Sequence, residues 1–122
     1  MTHILCLAAV AFLEARGEGL DGMAAVADTV ITRMAHRDQS ACEVAQSGQY
    51  AWAEVNLEYL GPEDRIAFDM AKQIATAAIY GHSHMGIEAD FFHEVSVTPY
   101  WADDMALVGR IGNHVYYDSK GE

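Results

Sequence analysis

Residues Ile4 to Leu13 are apolar throughout, and the run stops abruptly at Glu14. A helix that is hydrophobic on every side has no face to offer water, so the rest of the chain must fold around it. The run is ten residues long, far short of the about 20 that cross a bilayer. No Lys or Arg precedes it, as one would in a secretion signal, so a buried helix over His3 to Arg16 is expected, ended by Gly17. With 122 residues the chain has material for one enclosing core and not two. Residues 1–122 are therefore read as a single domain.

The enclosing elements can be read from periodicity. After an acidic start at Asp21, the residues Met23, Val26, Ala27, Val30, Ile31 and Met34 recur at the spacing of one helical stripe. A short helix is expected near Ala41 to Gln46, followed by a turn-rich segment at Gln49 to Trp52. Pro62, Glu63 and Asp64 form a strong helix start, because proline fits the first turn and acids suit the positive end of the helix dipole. The buried face of that helix is expected at Ile66, Ala67, Met70, Ile74, Ala77 and Ala78, with Gly81 as its stop. Aromatic and β-branched residues then gather in two short runs, Phe91 to Val97 and His114 to Tyr117, the second just after a Gly112–Asn113 turn. The expected fold class is α+β, mostly helical, with a small antiparallel sheet near the C-terminus.

Charge narrows the function classes. The formal net charge is −11, from 18 acidic against 7 basic residues, and the basic residues are scattered. Such a surface repels phosphate backbones and anionic lipid, which disfavours nucleic acid and membrane surfaces as partners. Cell-wall polymers are often anionic too, so recognition of one would work through a short-range cleft. Cys6 and Cys42 make neither a disulfide scaffold nor a zinc framework. Their apolar surroundings favour two small buried side chains over a bridge.

The residue that carries chemistry is Glu14. Residues three, four and seven back along its helix are Ala11, Val10 and Leu7, so the carboxylate shares a side with an apolar stripe. Desolvation by that wall and the negative end of the helix both favour the protonated acid. A carboxyl group that keeps its proton near neutrality suits protonation of a glycosidic oxygen. The alternative is that Glu14 pairs at the surface with Arg16 or Arg33. Glu18 lies beyond the helix stop and is given a supporting role. His82, His84, His93 and His114 lack the HEXXH pattern or a matching acid motif, so solvated histidines are expected and no metal or cofactor is assigned. Of the late aromatics, most are expected in the core and some along a groove suited to sugar rings.

These residues also fall into a known pattern. Residues 9 to 34, AVAFLEARGEGLDGMAAVADTVITRM, contain an EARGE signature followed by a small-residue helix. QYAW at 49 to 52, DFFH at 90 to 93, PYWA at 99 to 102 and RIGNHVYY at 110 to 117 follow in order. Together they resemble the spore cortex-lytic and cell-wall hydrolase family typified by SleB and CwlJ, across almost the whole chain.

The resemblance implies a lysozyme-like, transglycosylase-related domain acting on peptidoglycan, with the first Glu of EARGE, here Glu14, as the catalytic residue. Glu18, Arg16, Trp52, Phe92, His93, Trp101, His114 and Tyr116 are the side chains expected to support catalysis or bind substrate. The expected reaction is non-hydrolytic cleavage between N-acetylmuramic acid and N-acetylglucosamine, with a 1,6-anhydro product. A hydrolytic muramidase is the nearest rival; a zinc amidase and a wall-binding module without turnover are more distant ones. With no evident export signal, a phage-type lysin released from the cytoplasm is the expected setting. There are departures from the pattern: Thr32 stands where the family has Asn, and Gly48 stands where it often has Cys. The segment HSHMGIE, 82 to 88, replaces a DPTGG turn and is expected to reshape one wall of the cleft.

Overall fold

The structure, a computed structural model, describes residues 2–47 and 59–120. The QYAW segment, with Tyr50 and Trp52, lies outside the described residues. The apolar run forms α1, His3–Ala15, whose N-terminus is capped by the Thr2 hydroxyl accepting from Leu5 N–H at 3.2 Å. Cys6 through Phe12 and Ala15 are buried, as an all-apolar helix requires. The chain does not stop at Gly17: it continues through a single 3-10 turn, Arg16–Glu18, and Gly19 makes the break with φ 75°. The second helix, α2, Gly19–Arg37, therefore starts two residues before the expected acidic cap.

Met23, Val26, Ala27 and Val30 of the expected stripe are buried in α2, while Ile31 and Met34 are half-buried at the margin of the core. Asp28, Thr29 and Arg33 are buried as well, so α2 is covered on more than one side. Helix α3, Ala41–Ala45, begins with a reciprocal capping box in which Ser40 and Glu43 satisfy each other's main-chain N–H groups. Helix α4, Pro62–Ile79, starts at proline as expected and closes at Gly81, where His82 N–H reaches Ala77 O at 2.8 Å.

The buried face of α4 is rotated from the one read in the sequence. Phe68, Ala71, Ile74, Ala75 and Ala78 are buried, whereas Ile66 is 67% exposed and Met70 38% exposed. The cause is packing geometry: α4 lies on α1 and α2 through a row of alanines, with Phe68 edge-on to Phe12 at 5.5 Å. Small side chains bring helix axes close, and in an alanine-rich helix that gain competes with burial of the larger side chains.

The sheet has three antiparallel strands in the order β1-β3-β2: β1, Phe91–Glu94; β2, Ala106–Ile111; and β3, His114–Asp118. Registers place Phe92 opposite Tyr116 and Glu94 opposite His114. β1 is shorter than expected, because the chain turns after Glu94. β2 is an addition. Its sequence, ALVGRI, carries neither aromatics nor clean alternation, and the pairing shifts between Leu107 and Gly109. Gly112 and Asn113 form the β2–β3 turn, as expected.

Cys6 and Cys42 are joined in a disulfide with a Cα–Cα distance of 5.1 Å. This corrects the reading of two separate buried thiols: α3 packs against α1 and brings the side chains together, which composition around each cysteine does not reveal. The bond closes a loop of 36 residues, which should restrict the unfolded chain and contribute about 2–4 kcal/mol. Cys42→Ser is expected to lower the free energy of unfolding by that amount in urea titrations. Added reductant should shift the wild type toward the variant while leaving the variant unmoved.

Candidate active site

The last turn of α1 carries Glu14 to the edge of the core, where it is half-buried. There it lines a cavity of about 380 Å³ together with Arg33 of α2, Phe91, Phe92, His93 and Glu94 of β1, Trp101, and His114 of β3. Arg33 is only 4% exposed. Its Nε donates to the main-chain oxygen of Asp90, and its guanidinium lies over the Phe91 ring, 5.2 Å from the centroid.

One wall is aromatic. Trp101 meets Phe91 at 5.2 Å, Tyr117 at 5.4 Å and His93 at 5.8 Å, and His93 stacks on Tyr117 at 5.4 Å. His93 Nδ1 lies 2.8 Å from the Glu94 carbonyl, which can only accept, so Nδ1 carries the hydrogen. In the neutral ring Nε2 then accepts from the Tyr117 hydroxyl at 2.9 Å.

Glu18 holds the opposite side. The 3-10 turn folds its side chain under the β2–β3 hairpin, where Oε2 lies 2.7 Å from His114 Nδ1 and Oε1 accepts from Asn113 N–H at 2.7 Å. Both side chains of the pair are nearly buried, at 11% and 9% exposure. The glycines around it explain the fit. A Cβ on Gly112, whose φ is 60°, would stand 2.3 Å from Glu18 Oε1, and one on Gly22 would stand 2.6 Å from Glu18 Cβ. Glu18 thus orients His114 within the cavity wall.

The other residues singled out in the sequence fall elsewhere. Arg16 is exposed, pairs with Asp64 of α4 at 3.6 Å and covers the Phe12 ring, so it turns away from the cavity. Of the two surface partners considered for Glu14, Arg16 is thus committed to α4, and Arg33 is buried in the same cavity as Glu14. Tyr116 is fully buried in the core, beneath Phe92 at 5.6 Å. His84 pairs with Asp21 at 2.6 Å. Among the described residues, no three His, Cys, Asp or Glu side chains converge as metal ligands. Arg33, Phe91 and Glu94 line the cavity without having been assigned to the site from the sequence. The buried arginine was hidden because it lies off the apolar stripe of α2, and Glu94 because it closes a strand otherwise read as aromatic.

The sequence profile of the Cell Wall Hydrolase family matches residues 17–117. The chain belongs to the cell wall hydrolase family. The substrate of this family of enzymes is peptidoglycan. The matched span takes in Glu18 and every cavity residue but Glu14, whose place in the site rests on geometry. No curated protein and no solved structure matches the chain.

In this cell wall hydrolase domain the sheet side of the cavity is fastened by Asp90, which is 4% exposed. Its carboxylate accepts from the N–H and hydroxyl of Ser119 and meets His36 Nδ1 at 3.2 Å. Its own N–H donates to Tyr117 O. Burial disfavours the charged form of Asp90, but the two Ser119 donors and His36 outweigh it and hold the carboxyl below its ordinary value.

A carboxyl group lowered on folding stabilises the fold fully above its unfolded value of about 4 and loses that contribution as pH falls through the lower folded value. Urea unfolding between about pH 5 and pH 2 should therefore show a loss of stability that Asp90→Asn makes shallower; an equal slope in the variant would refute the assignment. Gly112→Ala should cost more than the about 1–2 kcal/mol of a left-handed alanine, because the methyl group meets Glu18. Gly19→Ala, with φ 75° and nothing within 4 Å of its Cβ position, gives the conformational part alone, and the difference between the two variants measures the clash.

Proposed function

We propose that this domain cleaves the glycan strand of peptidoglycan between N-acetylmuramic acid and N-acetylglucosamine, with Glu14 as both acid and base. The observation that carries this reading is the position of Glu14: the carboxylate ends a helix otherwise enclosed by apolar residues and lines a cavity with an aromatic wall. Aromatic faces suit the C–H faces of sugar rings, and a half-buried carboxyl suits proton transfer to a glycosidic oxygen.

In the proposed reaction Glu14 gives its proton to the bridging oxygen as the bond from the muramic C1 breaks. The carboxylate then takes the proton of the muramic C6 hydroxyl as O6 bonds to C1, giving a 1,6-anhydro ring and a free 4-hydroxyl. No water is consumed, and Glu14 ends in its starting form. His114, oriented by Glu18, and Arg33 face the same space and supply hydrogen-bond donors to the sugar substituents. Trp101, Phe92 and His93 form the platform.

Hydrolysis of the same bond is the second reading, favoured by one observation. Glu94 is a second carboxylate on the cavity, exposed and accepting from Ser96 Oγ at 2.8 Å, which is a position from which a carboxylate can activate water. The Cys6–Cys42 bond supports either reading, since disulfides persist where the surroundings are oxidising, as outside the cytosol.

Purified sacculi digested by the wild type, Glu14→Gln and Glu94→Gln test these readings together. Glu14→Gln should lose about 10²–10⁴-fold in rate, the usual contribution of a general acid or base, with its fold intact by circular dichroism. Glu94→Gln should retain activity, and released muropeptides should be lighter by one water per new end. Products of full hydrolytic mass, with Glu94→Gln inactive, would establish the hydrolase instead.

A further inference from the structure

The cavity around Glu14 adjoins a sheet with one face in the core and one open. Tyr116 and His114 of β3 are buried on the inner face. Tyr117 alternates with them and lies on the outer face, and directly paired residues of neighbouring strands share a face. Tyr117 pairs with Phe91 on β1 and with Leu107 on β2, so these three form one outward row across the sheet. Trp101 sits over the β1 end of the row, in contact with Phe91, His93 and Tyr117. At the β2 end the row is open: Leu107 is 67% exposed, and Val108 beside it 40%. Neither belongs to the motif blocks at 99 to 102 and 110 to 117. The segment 82 to 88, expected to reshape the cleft around Glu14, lines a separate space beside His36 instead.

Single exposed apolar side chains are ordinary, but these two are continuous with the cavity wall. His93 and Trp101 line the cavity. Tyr117 touches both, its hydroxyl donating to His93 Nε2 at 2.9 Å. Leu107 is the next side chain across the sheet. An apolar edge strand invites another strand to pair with it. The register shift between Leu107 and Gly109 works against that, since the unpaired extra residue of a bulge bends the edge and breaks the ladder. The side chains stay open to a ligand laid across the face. Adjacent strands are about 4.8 Å apart, close to the advance of one sugar along a glycan. The row from β1 through β3 to β2 therefore offers one apolar contact to each successive ring. Aromatic and aliphatic surfaces suit the C–H faces of sugars, and Arg110, opposite Val115, places a guanidinium at the border.

We propose that the outer face of the sheet is a track for the glycan strand beyond the cavity, with Tyr117 and then Leu107 each receiving one sugar. The proposal rests on the glycan-cleaving reading above and extends it: the substrate is a long strand held outside the bond that breaks.

The test measures binding to Glu14→Gln by amide NMR, with peptide-free wall glycan as a disaccharide and as a hexasaccharide. The hexasaccharide should shift Leu107, Val108 and Val115, and should bind severalfold more tightly than the disaccharide. Leu107→Thr keeps a residue favoured in strands and should lower that ratio toward one. Ile66→Gln on α4 removes a side chain that is equally exposed, at 67%, and should leave the ratio unchanged. A ratio that Leu107→Thr lowers no more than Ile66→Gln does overturns the track, as does a hexasaccharide that shifts cavity residues alone or nothing. If Glu14→Gln has meanwhile lost cleavage of sacculi, the cleaving reading survives that failure. Length-dependent shifts on β2 in a protein whose wild type leaves sacculi intact would support the track and overturn the cleaving reading.

Discussion

An all-apolar helix must be covered on every side, and that requirement organises this domain. α2 and α4 cover two flanks of α1, and α3 is drawn against its first turns and fixed there by the Cys6–Cys42 bond. Both ends of α1 reach the edge of the core, with Ile4 and Leu5 half-buried at the first turn and Leu13 and Glu14 at the last. Burial of apolar side chains, here Cys6 through Phe12 with Ala15, is the dominant favourable term in folding, at roughly 25 cal/mol per Å² of apolar surface. The position of one carboxylate is therefore set by the packing of the whole helix. A rotation or slide of α1 large enough to carry Glu14 into bulk water would expose the side chains that hold the domain together.

The sheet is too small to stand on such burial alone. Three short strands need a packed partner for stability, and most side chains of β2 are at least partly exposed. Two carboxylates fasten the sheet to the helices instead. Glu18 grips the β2–β3 hairpin at Asn113 and His114, and Asp90 joins the start of β1 to Ser119 beyond β3 and to His36 of α2. Hydrogen bonds to charged groups are worth about 1.5–3 kcal/mol each, and both carboxylates are nearly enclosed, so screening by water is limited. The same contacts that hold the sheet also set the separation of its aromatic wall from Glu14, so fold stability and site geometry rest on shared groups.

This division explains what could be read from the chain. The start of α1, the start of α4 at Pro62 and the Gly112–Asn113 turn follow from local chemistry, and the structure carries each element where the sequence puts it. Features that depend on two distant segments were not legible. The disulfide needs α3 to fold back onto α1. The face of α4 depends on alanines whose packing value appears only against α1. The buried acids and base Asp28, Asp90 and Arg33 look like surface charges until a partner 57 to 59 residues away is known, as Asp90 is for Arg33 and Ile87 for Asp28. β2 was missed because pairing with β3 makes it a strand despite a sequence without alternation. Arg16 and Tyr116 belong to conspicuous motifs, yet one serves the α1–α4 contact and the other the core.

Charge gives the site its remaining character. A chain of net charge −11 gains nothing from long-range attraction to an anionic wall, and at physiological ionic strength fields between exposed charges fade within about 8 Å. Arg33 escapes that limit because it is buried: with little water around it, its field is screened least inside the cavity it lines. A polar group that enters meets a buried cation, an imidazole paired with Glu18 and an aromatic face together, whereas one passing outside meets mainly acids. Recognition of this kind acts only after contact is made, so it favours a substrate presented as a fixed, dense polymer, where contact is frequent without electrostatic steering.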